Sequence, residues 1–364
     1  MIAIDRVLFH PNGLGIAETC MSDQLPPYDS FLLVSFGGPE GPDEVIPFLE
    51  NVLRGKNVPR ERMMEVAEHY QHFGGVSPIN EQNRQLINAL TAEFKGSGID
   101  LPIYWGNRNW DPLLPDTLRK MRDDGCKRAL AFFTSMFSCY SGCRQYRENI
   151  AAAREEVGSD APLVEKVRMG FNHPGFIEAM SDSLRQAVES LGRSPSQATV
   201  LFTAHSIPIS MSDNCDYVKQ LRESCRLVAE NVGVNEWQLV YQSRSGPPQQ
   251  PWLEPDVCDV INELAISRKP DALVVLPIGF VSDHMEVMFD LDEEAAEACK
   301  QHQIPFARAA SAGTHPKFVQ MIRELVEERC QGGERRAVGE LGPWHDVCPQ
   351  DCCLYTPRRP TMAR

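Results

Sequence analysis

The sequence predicts an α/β protein with two doubly wound domains, each built on a mostly parallel sheet. Short apolar runs alternate with longer amphipathic stretches along most of the chain. This alternation is typical of strand–helix–strand units with helices on both faces of a sheet. It occurs twice, over residues 30–170 and again over 171–330, with no sequence repeat between the halves. The length of 364 residues suits two domains of ordinary size.

The predicted strands are brief, rich in β-branched or aromatic residues and bounded by turn residues. They are expected at residues 31–36, 102–106, 128–133, 199–203, 238–242 and 272–277. Helices with one apolar face lie between them. They are expected at residues 81–94, 112–122, 176–191, 216–231 and 285–301. Because ligands of doubly wound proteins bind beyond the carboxyl ends of the strands, residues that directly follow strands are the first functional candidates.

Two segments lie outside this pattern. Residues 1–29 are expected to be a loose N-terminal extension, with Met21 as an alternative start. Residues 331–364 form a cysteine-rich tail with Gly, Pro and charges but no sustained periodicity. The tail is therefore expected to be disordered or to be organised by something other than a hydrophobic core.

Composition excludes several classes of protein. The net charge of −14 argues against a nucleic-acid binder, since phosphates would be repelled by most of the surface. No apolar run is long enough to span a bilayer, and no secretory signal is recognisable. Most of the 12 cysteines lie in helical patterns typical of buried free thiols, which favours the reducing cytoplasm. The sequence shows no apolar C-terminal segment of the kind that builds a large dimer interface, so a monomer is expected.

Two of the loops that follow strands carry simple candidate features. The glycines of residues 37–42 (GGPEGP) allow close backbone approach to a ligand, although a plain turn explains them equally well. His205 lies two residues beyond the end of the strand predicted at 199–203. A histidine at the carboxyl end of a strand is placed to act as a base or as a metal ligand, with a structural role as the alternative.

The loop and helix after the strand at 272–277 carry a row of acids. Glu286 and Asp290 are spaced i,i+4, and Asp283 precedes Glu286 by three positions. The three carboxylates are therefore expected on one face of a helix's opening turns. Like charges so arranged repel unless protons, a metal ion or the helix N-terminus offsets them. An N-cap at Ser282 or Asp283 is the structural alternative, and it accounts for one acid rather than the row.

At this point the sequence resembles a known family. The segments HSIP at 205–208 and SDHMEVMFDLD at 282–292 look like the paired signature of ferrochelatases. Further segments agree in the same order between residues 31 and 330. They are LVSFGGP at 33–39, GGVSP at 74–78, GNRNW at 106–110 and QSRSGP at 242–247. The resemblance implies two Rossmann-like domains of the chelatase type, and a lyase that inserts Fe²⁺ into a porphyrin, with release of two protons, in heme biosynthesis.

The resemblance also implies residue roles. His205 matches the histidine that accepts pyrrole protons or binds the incoming iron, and Glu286 matches the glutamate that faces it across the porphyrin. The supporting acidic path would be Asp283, His284 and Asp290. The porphyrin contacts would be Phe36, Arg108 and Ser135. Because phenylalanine offers no metal ligand, no axial ligand is expected at Phe36.

The tail adds a possible metal centre. Cys348, Cys352 and Cys353 lie within six residues, and thiolates are ligands for iron–sulfur clusters or zinc. Some ferrochelatases carry a [2Fe–2S] cluster on such a tail and one internal cysteine. Cys143 resembles that internal ligand, and Cys139 is its alternative. Zinc and an unstructured tail also remain open.

The porphyrin and the enzyme class have alternatives. The SFGGPEGP-like beginning of the chain resembles ferrochelatases that use coproporphyrin III, which is the expected substrate, with protoporphyrin IX next. A cobalt chelatase of the same superfamily, acting on a precorrin-type ring, is a second reading. A solute-binding protein is a third, because two α/β domains flanking a cleft also suit small-molecule carriers.

Overall fold

The computed structural model describes residues 28–55 and 58–355 and contains two four-stranded parallel sheets. The strands are β1 (Ser30–Ser35), β2 (Ile103–Asn107), β3 (Arg128–Phe133), β4 (Leu163–Lys166), β5 (Thr199–His205), β6 (Glu236–Gln242), β7 (Leu273–Leu276) and β8 (Phe306–Arg308). Their order is β2-β1-β3-β4 in the first sheet and β6-β5-β7-β8 in the second. The predicted α/β fold with doubly wound parallel sheets is confirmed. The alternative start at Met21, and nearly all of the N-terminal extension, lie outside the described residues.

Helices connect the strands. They are α1 (Val45–Leu53), α2 (Arg60–His72), α3 (Ile79–Gly96), α4 (Leu114–Asp123), α5 (Gln145–Val157), α6 (Pro174–Ser190), α7 (Ile209–Ser212), α8 (Tyr217–Val232), α9 (Val257–Ser267), α10 (Met285–Val287), α11 (Ala296–Gln301) and α12 (Pro316–Gln331). Two segments wind as π-helices, Tyr140–Arg144 and Met288–Ala295. Short 3₁₀ turns occupy Pro42–Glu44 and Pro195–Gln197.

The central strands are covered on both faces. Every residue of β1 and β3 is buried, which explains why both read as continuous apolar runs rather than as alternating patterns. All of the predicted strands are confirmed to within two residues at each end. The edge strands β4 and β8 were not predicted, because β4 carries Glu165 and Lys166 and β8 is only three residues long.

One large buried cluster spans both sheets. Phe318 of α12 lies 6.1 Å from Phe132 of β3 and 6.3 Å from Phe176 of α6, measured between ring centroids. The last helix of the second half therefore packs against the first sheet, and the two halves share apolar contacts. The division of the chain near residue 170 stays a prediction.

The tail is fixed to the body by polar and apolar contacts. The backbone N–H of Val338 donates to the carbonyl of Asn172 at 2.9 Å, and Trp344 packs 5.8 Å from Phe171. Val338, Leu341 and Trp344 all pack against the large buried cluster. The expectation that a hydrophobic core plays no part in the tail is thus wrong for residues 332–355, because isolated apolar residues make these contacts without any periodicity.

A buried ion pair fixes α12 beneath the tail. The guanidinium of Arg168 is fully buried and donates to both carboxylate oxygens of Glu328, at 2.8 and 3.1 Å. It also donates to the carbonyl of Arg336 in the tail at 2.6 Å.

Within the described ranges, no helix is long and apolar enough to cross a membrane.

Removing the charge of Glu328 is expected to destabilise the fold. Glu328→Gln leaves a buried guanidinium uncompensated, which costs about 3 kcal/mol of unfolding free energy. The surface variant Glu327→Gln, which loses a partly exposed pair with Arg323, is expected to cost less than about 1 kcal/mol. Urea denaturation of both variants measures the difference. Equal losses would contradict a special role for the buried pair.

Candidate active site

Neighbouring strands of the second sheet bring a histidine and a glutamate together. His205 is the last residue of β5, and Glu286 lies in α10, which follows β7. Because β5 and β7 pair in parallel, their carboxyl ends meet at the same edge of the sheet. Nε2 of His205 lies 3.5 Å from the nearer carboxylate oxygen of Glu286, and both side chains are partly open to solvent. The structure thus joins the two predicted catalytic residues.

The surroundings of His205 fix the orientation of its ring. Its Nδ1 is hydrogen-bonded to the carbonyl oxygen of Ser206, and the hydroxyl of Tyr217 donates to the carbonyl of His205 at 3.1 Å. A carbonyl oxygen only accepts, so Nδ1 carries the proton of the neutral ring. The lone pair therefore lies on Nε2, the atom that faces Glu286 and can accept a proton or bind a cation.

The start of α10 is capped by a histidine rather than by the residues considered from the sequence. Nδ1 of His284 accepts the backbone N–H of Glu286 at 3.2 Å, so the alternative of an N-cap at Ser282 or Asp283 is wrong. The His284 ring packs 4.9 Å from Phe280, and burial lowers its pKa. A neutral His284 keeps Nδ1 available as the cap acceptor and holds the backbone of Glu286 in place.

Asp290 is held by side chains at the carboxyl end of β6. Gln242 donates to Asp290 at 3.2 Å and to the carbonyl of Glu286 at 3.4 Å, and the hydroxyl of Ser243 also donates to Asp290. Burial, together with the charges of Glu286 and Glu294, raises the pKa of Asp290 to about 7. Asp290 is therefore able to gain or lose a proton near neutral pH. The position of Gln242 at the carboxyl end of a predicted strand was the signal available in the sequence.

Asp283 does not join this row. It precedes α10 and pairs with Arg308 of β8 at 3.2 Å, and Arg308 pairs with Asp292 as well. The expectation of three carboxylates on one helix face is wrong for Asp283, because the helix begins only at Met285 and Asp283 instead pairs with Arg308. The helix predicted at 285–301 also contains the π-helix, so its residues do not follow regular i,i+4 geometry through Asp290.

The first half of the chain contributes an aromatic cluster that reaches Glu286. Phe36, directly after β1, packs 6.3 Å from Phe48, which in turn lies 5.8 Å from Tyr70 of α2. Burial and the nearby charge of Glu286 raise the pKa of Tyr70. Tyr70 is thus the member of the aromatic cluster on which the charge of Glu286 acts. Sequence reasoning missed it, because α2 was not among the predicted helices.

The other predicted porphyrin contacts lie at the carboxyl edge of the first sheet. The guanidinium of Arg108 stacks 5.6 Å from the Phe36 ring and 4.5 Å from the Tyr146 ring, and its Nε donates to Asn149 at 2.7 Å. Ser135 follows β3, two positions beyond its last residue. Arg108 therefore packs against the Phe36 ring. Porphyrin binding by Arg108 and Ser135 stays a prediction.

A second group of side chains lies where the tail meets the first half. Cys143, in the π-helix Tyr140–Arg144, makes a side-chain hydrogen bond with Cys348, and the sulfur atoms of Cys352 and Cys353 lie 3.5 Å apart. Arg144 secures the loop by donating to the carbonyl of Cys352 at 2.9 Å. The hydrogen bond from Cys143 is the main reason that the pKa of Cys348 falls to about 4.

The donor set suits a metal that prefers thiolates. Ligand atoms of His345, Cys348 and Cys352 all lie within 4.8 Å of one another, and two sulfur pairs, 143–348 and 352–353, are in contact. Soft thiolate donors in such pairs fit an iron–sulfur cluster or zinc. Cys139 instead accepts the backbone N–H of Gly142 at 3.1 Å. His345 was missed, although its position three residues before Cys348 was a signal in the sequence.

Comparisons with known proteins identify the family of the chain. A family model described as ferrochelatase matches residues 28–330. A ferrochelatase of Rhodopirellula baltica is 74% identical over 341 residues, covering 93% of this chain and 97% of the relative. A coproporphyrin III ferrochelatase of Streptomyces coelicolor is 50% identical over 365 residues, covering 93% of this chain and 96% of the relative.

Solved structures share the fold. SirB from Bacillus subtilis with Fe³⁺ superposes with a TM-score of 0.53 at 12% identity, covering 82% of this chain and 96% of that one. DR2241 from Deinococcus radiodurans, a multi-domain protein with structural similarity to chelatases, gives a TM-score of 0.51 at 15% identity, with 84% and 56% covered. At these identities the likeness extends to the fold alone, which is of the chelatase type.

Neutralising Asp290 is expected to stabilise the protein in a pH-dependent way. A folded-state pKa of about 7 in place of 3.8 means that ionising Asp290 costs stability as the pH rises from 4 to 7, by up to about 4 kcal/mol. Asp290→Asn removes this cost, so its gain in melting temperature should be larger at pH 8 than at pH 5. Thermal melts at both pH values measure it, with Glu263→Gln, an exposed acid of α9, as the control. A gain that is the same at pH 5 and pH 8 would contradict the assignment.

Proposed function

The chain belongs to the ferrochelatase family, and we propose that its porphyrin is coproporphyrin III and that His205 and Glu286 carry out the metallation. It is a metal chelatase of heme biosynthesis that inserts ferrous iron into a porphyrin. The observation that carries the residue assignment is the 3.5 Å separation of His205 Nε2 from the Glu286 carboxylate. The family match decides against the cobalt chelatase and the solute-binding protein.

The reaction needs a base and a cation ligand in one place. Each turnover removes two pyrrole N–H protons and puts Fe²⁺ in their place, with no change in the oxidation state of the iron. The lone pair on Nε2 of His205 accepts a pyrrole proton or binds iron, and Glu286 stabilises the imidazolium or shares the cation. Both donor types suit Fe²⁺.

Protons then need a route away from the ring. Asp290, with a pKa of about 7, exchanges protons efficiently at neutral pH, and Gln242 connects it to the backbone of Glu286. His284 positions Glu286 through the helix cap. Asp283, which is paired with Arg308, acts on this path only by fixing the neighbouring strand and loop.

The macrocycle would lie against the aromatic cluster. Phe36 and its neighbours offer an apolar wall beside Glu286, with Arg108 beneath Phe36 and Ser135 at the same sheet edge. Coproporphyrin III is supported by the relative of that name at 50% identity and by the glycine-rich loop at residues 37–42. Protoporphyrin IX is the second candidate.

We further propose that Cys143, Cys348, Cys352 and Cys353 hold a [2Fe–2S] cluster. The two contacting sulfur pairs support this ligand set. When bound, the cluster supplies a covalent metal link between the tail and the first half of the chain, and metal-binding energy becomes folding energy. The described cysteines are all free, which is consistent with an enzyme of the reducing cytoplasm. We propose that it works there as a monomer.

Loss of either catalytic side chain is expected to stop metallation without preventing porphyrin binding. His205→Ala and Glu286→Gln should each lower kcat for Fe²⁺ insertion into coproporphyrin III by about 100-fold or more, since a positioned acid or base contributes that much. Anaerobic assays measure turnover, and porphyrin fluorescence measures binding. Glu293→Gln, a partly exposed acid of the π-helix that follows Glu286, is the control. Near-normal turnover of either variant would remove that residue from the mechanism.

A further inference from the structure

Two cations, the buried Lys166 and the partly buried Arg147, lie beside the cysteine group and form no ion pair with an acid of the described residues. Lys166, at the end of β4, is only 8% exposed, and the hydrogen bond described for its ammonium goes to the carbonyl of its neighbour Val167, at 3.3 Å. Arg147 of α5 has its Nη1 shielded from water and without a hydrogen-bond partner. Burying a charge without a counter-charge costs several kcal/mol. Lys166 therefore requires an anion, and an anion in the same place would also satisfy the shielded Nη1 of Arg147.

A cavity of about 380 Å³ has Lys166, Arg147 and Cys348 in its wall. Three carboxylates also line it, but each is already paired with another arginine. The pairs are Glu148 with Arg144 at 2.8 Å, Glu165 with Arg329 at 3.4 Å and Asp346 with Arg335 at 3.1 Å. Among residues 28–55 and 58–355, no carboxylate forms an ion pair with Lys166 or Arg147, although Oδ1 of Asp346 is buried in the same wall without a hydrogen-bond partner. The sulfur atoms are the other candidates for the anion.

The sulfur atoms are within reach of both charges. Lys166 acts electrostatically on Cys143 and Cys348, and Arg147 acts on Cys348 and Cys352. A ring nitrogen of His345 lies within 4.8 Å of the Cys348 sulfur. A thiolate-ligated metal centre has a net negative charge, and hydrogen bonds and charges around the sulfurs set its stability and reduction potential. Neutral thiols would leave both cations uncompensated.

We propose that Lys166 and Arg147 are positioning residues that compensate the negative charge of a thiolate–metal centre formed by the tail. This inference rests on the proposed cluster for the identity of the natural centre. It assigns the cavity wall to the metal group rather than to the porphyrin site. It also explains why a lysine lies buried at the end of an edge strand, where an apolar residue would cost less.

The test uses the full chain freed of metal and titrated with Co²⁺, whose thiolate charge-transfer absorption reports bound sulfur. Lys166→Met and Arg147→Gln should each weaken Co²⁺ binding by about tenfold or more, because the anionic complex loses a nearby cation. Lys166→Arg should keep the affinity to within about twofold. Lys300→Met, which removes the same charge from an exposed site on α11, is the matched control and should change nothing.

A second readout uses the protein as purified with its cluster. Removing either cation should lower the reduction potential, since the reduced cluster is the more negative state. The inference would be overturned if the Lys166→Met and Lys300→Met variants bound Co²⁺ with equal affinity. It would also be overturned if the wild-type protein bound Co²⁺ without thiolate charge-transfer absorption. If the purified protein lacks iron–sulfur absorption but its Co²⁺ affinity still depends on Lys166, the proposed [2Fe–2S] cluster is wrong and the role of Lys166 is supported.

Discussion

The parallel pairing of β5 with β7 is the constraint on which the site depends. The register joins Phe202 to Leu276, so the chain leaves both strands at one edge and the loop after β7 crosses directly over the end of β5. Gly279 makes this crossing possible, because a Cβ there would lie 2.7 Å from the Cα of Ala204. A side chain at Gly279 would push the loop away and separate His205 from Glu286.

Electrostatic differences among the nearby acids follow from which elements pack beside them. Asp283 lies against β8 and is neutralised by Arg308, while Asp290 is buried beside Gln242 and Ser243, which have no charge to offer. Glu286 stays partly open to solvent. One acid is therefore structural, one is poised to exchange protons, and one remains available to a cation. The residue type alone does not separate these three states.

The sequence predicted most of what depends on local pattern. The buried central strands, His205 at the carboxyl end of β5 and the acids after β7 follow from apolar runs and from the rule that ligands bind beyond the carboxyl ends of strands. Tyr70, the cap at His284 and the pairing of Asp283 with Arg308 depend on contacts between distant segments, which no local pattern contains. The tail is the clearest case, since the spacing of its cysteines was visible while the buried Lys166 beside them was not.

The most direct measurement is anaerobic insertion of Fe²⁺ by the full chain, with coproporphyrin III and protoporphyrin IX assayed side by side. Turnover followed by metalloporphyrin absorption should occur, with the higher kcat/KM for coproporphyrin III. A preference for protoporphyrin IX would contradict the substrate assignment. Folded protein that binds both rings but metallates neither would contradict the central claim that this sheet edge is a metallation site.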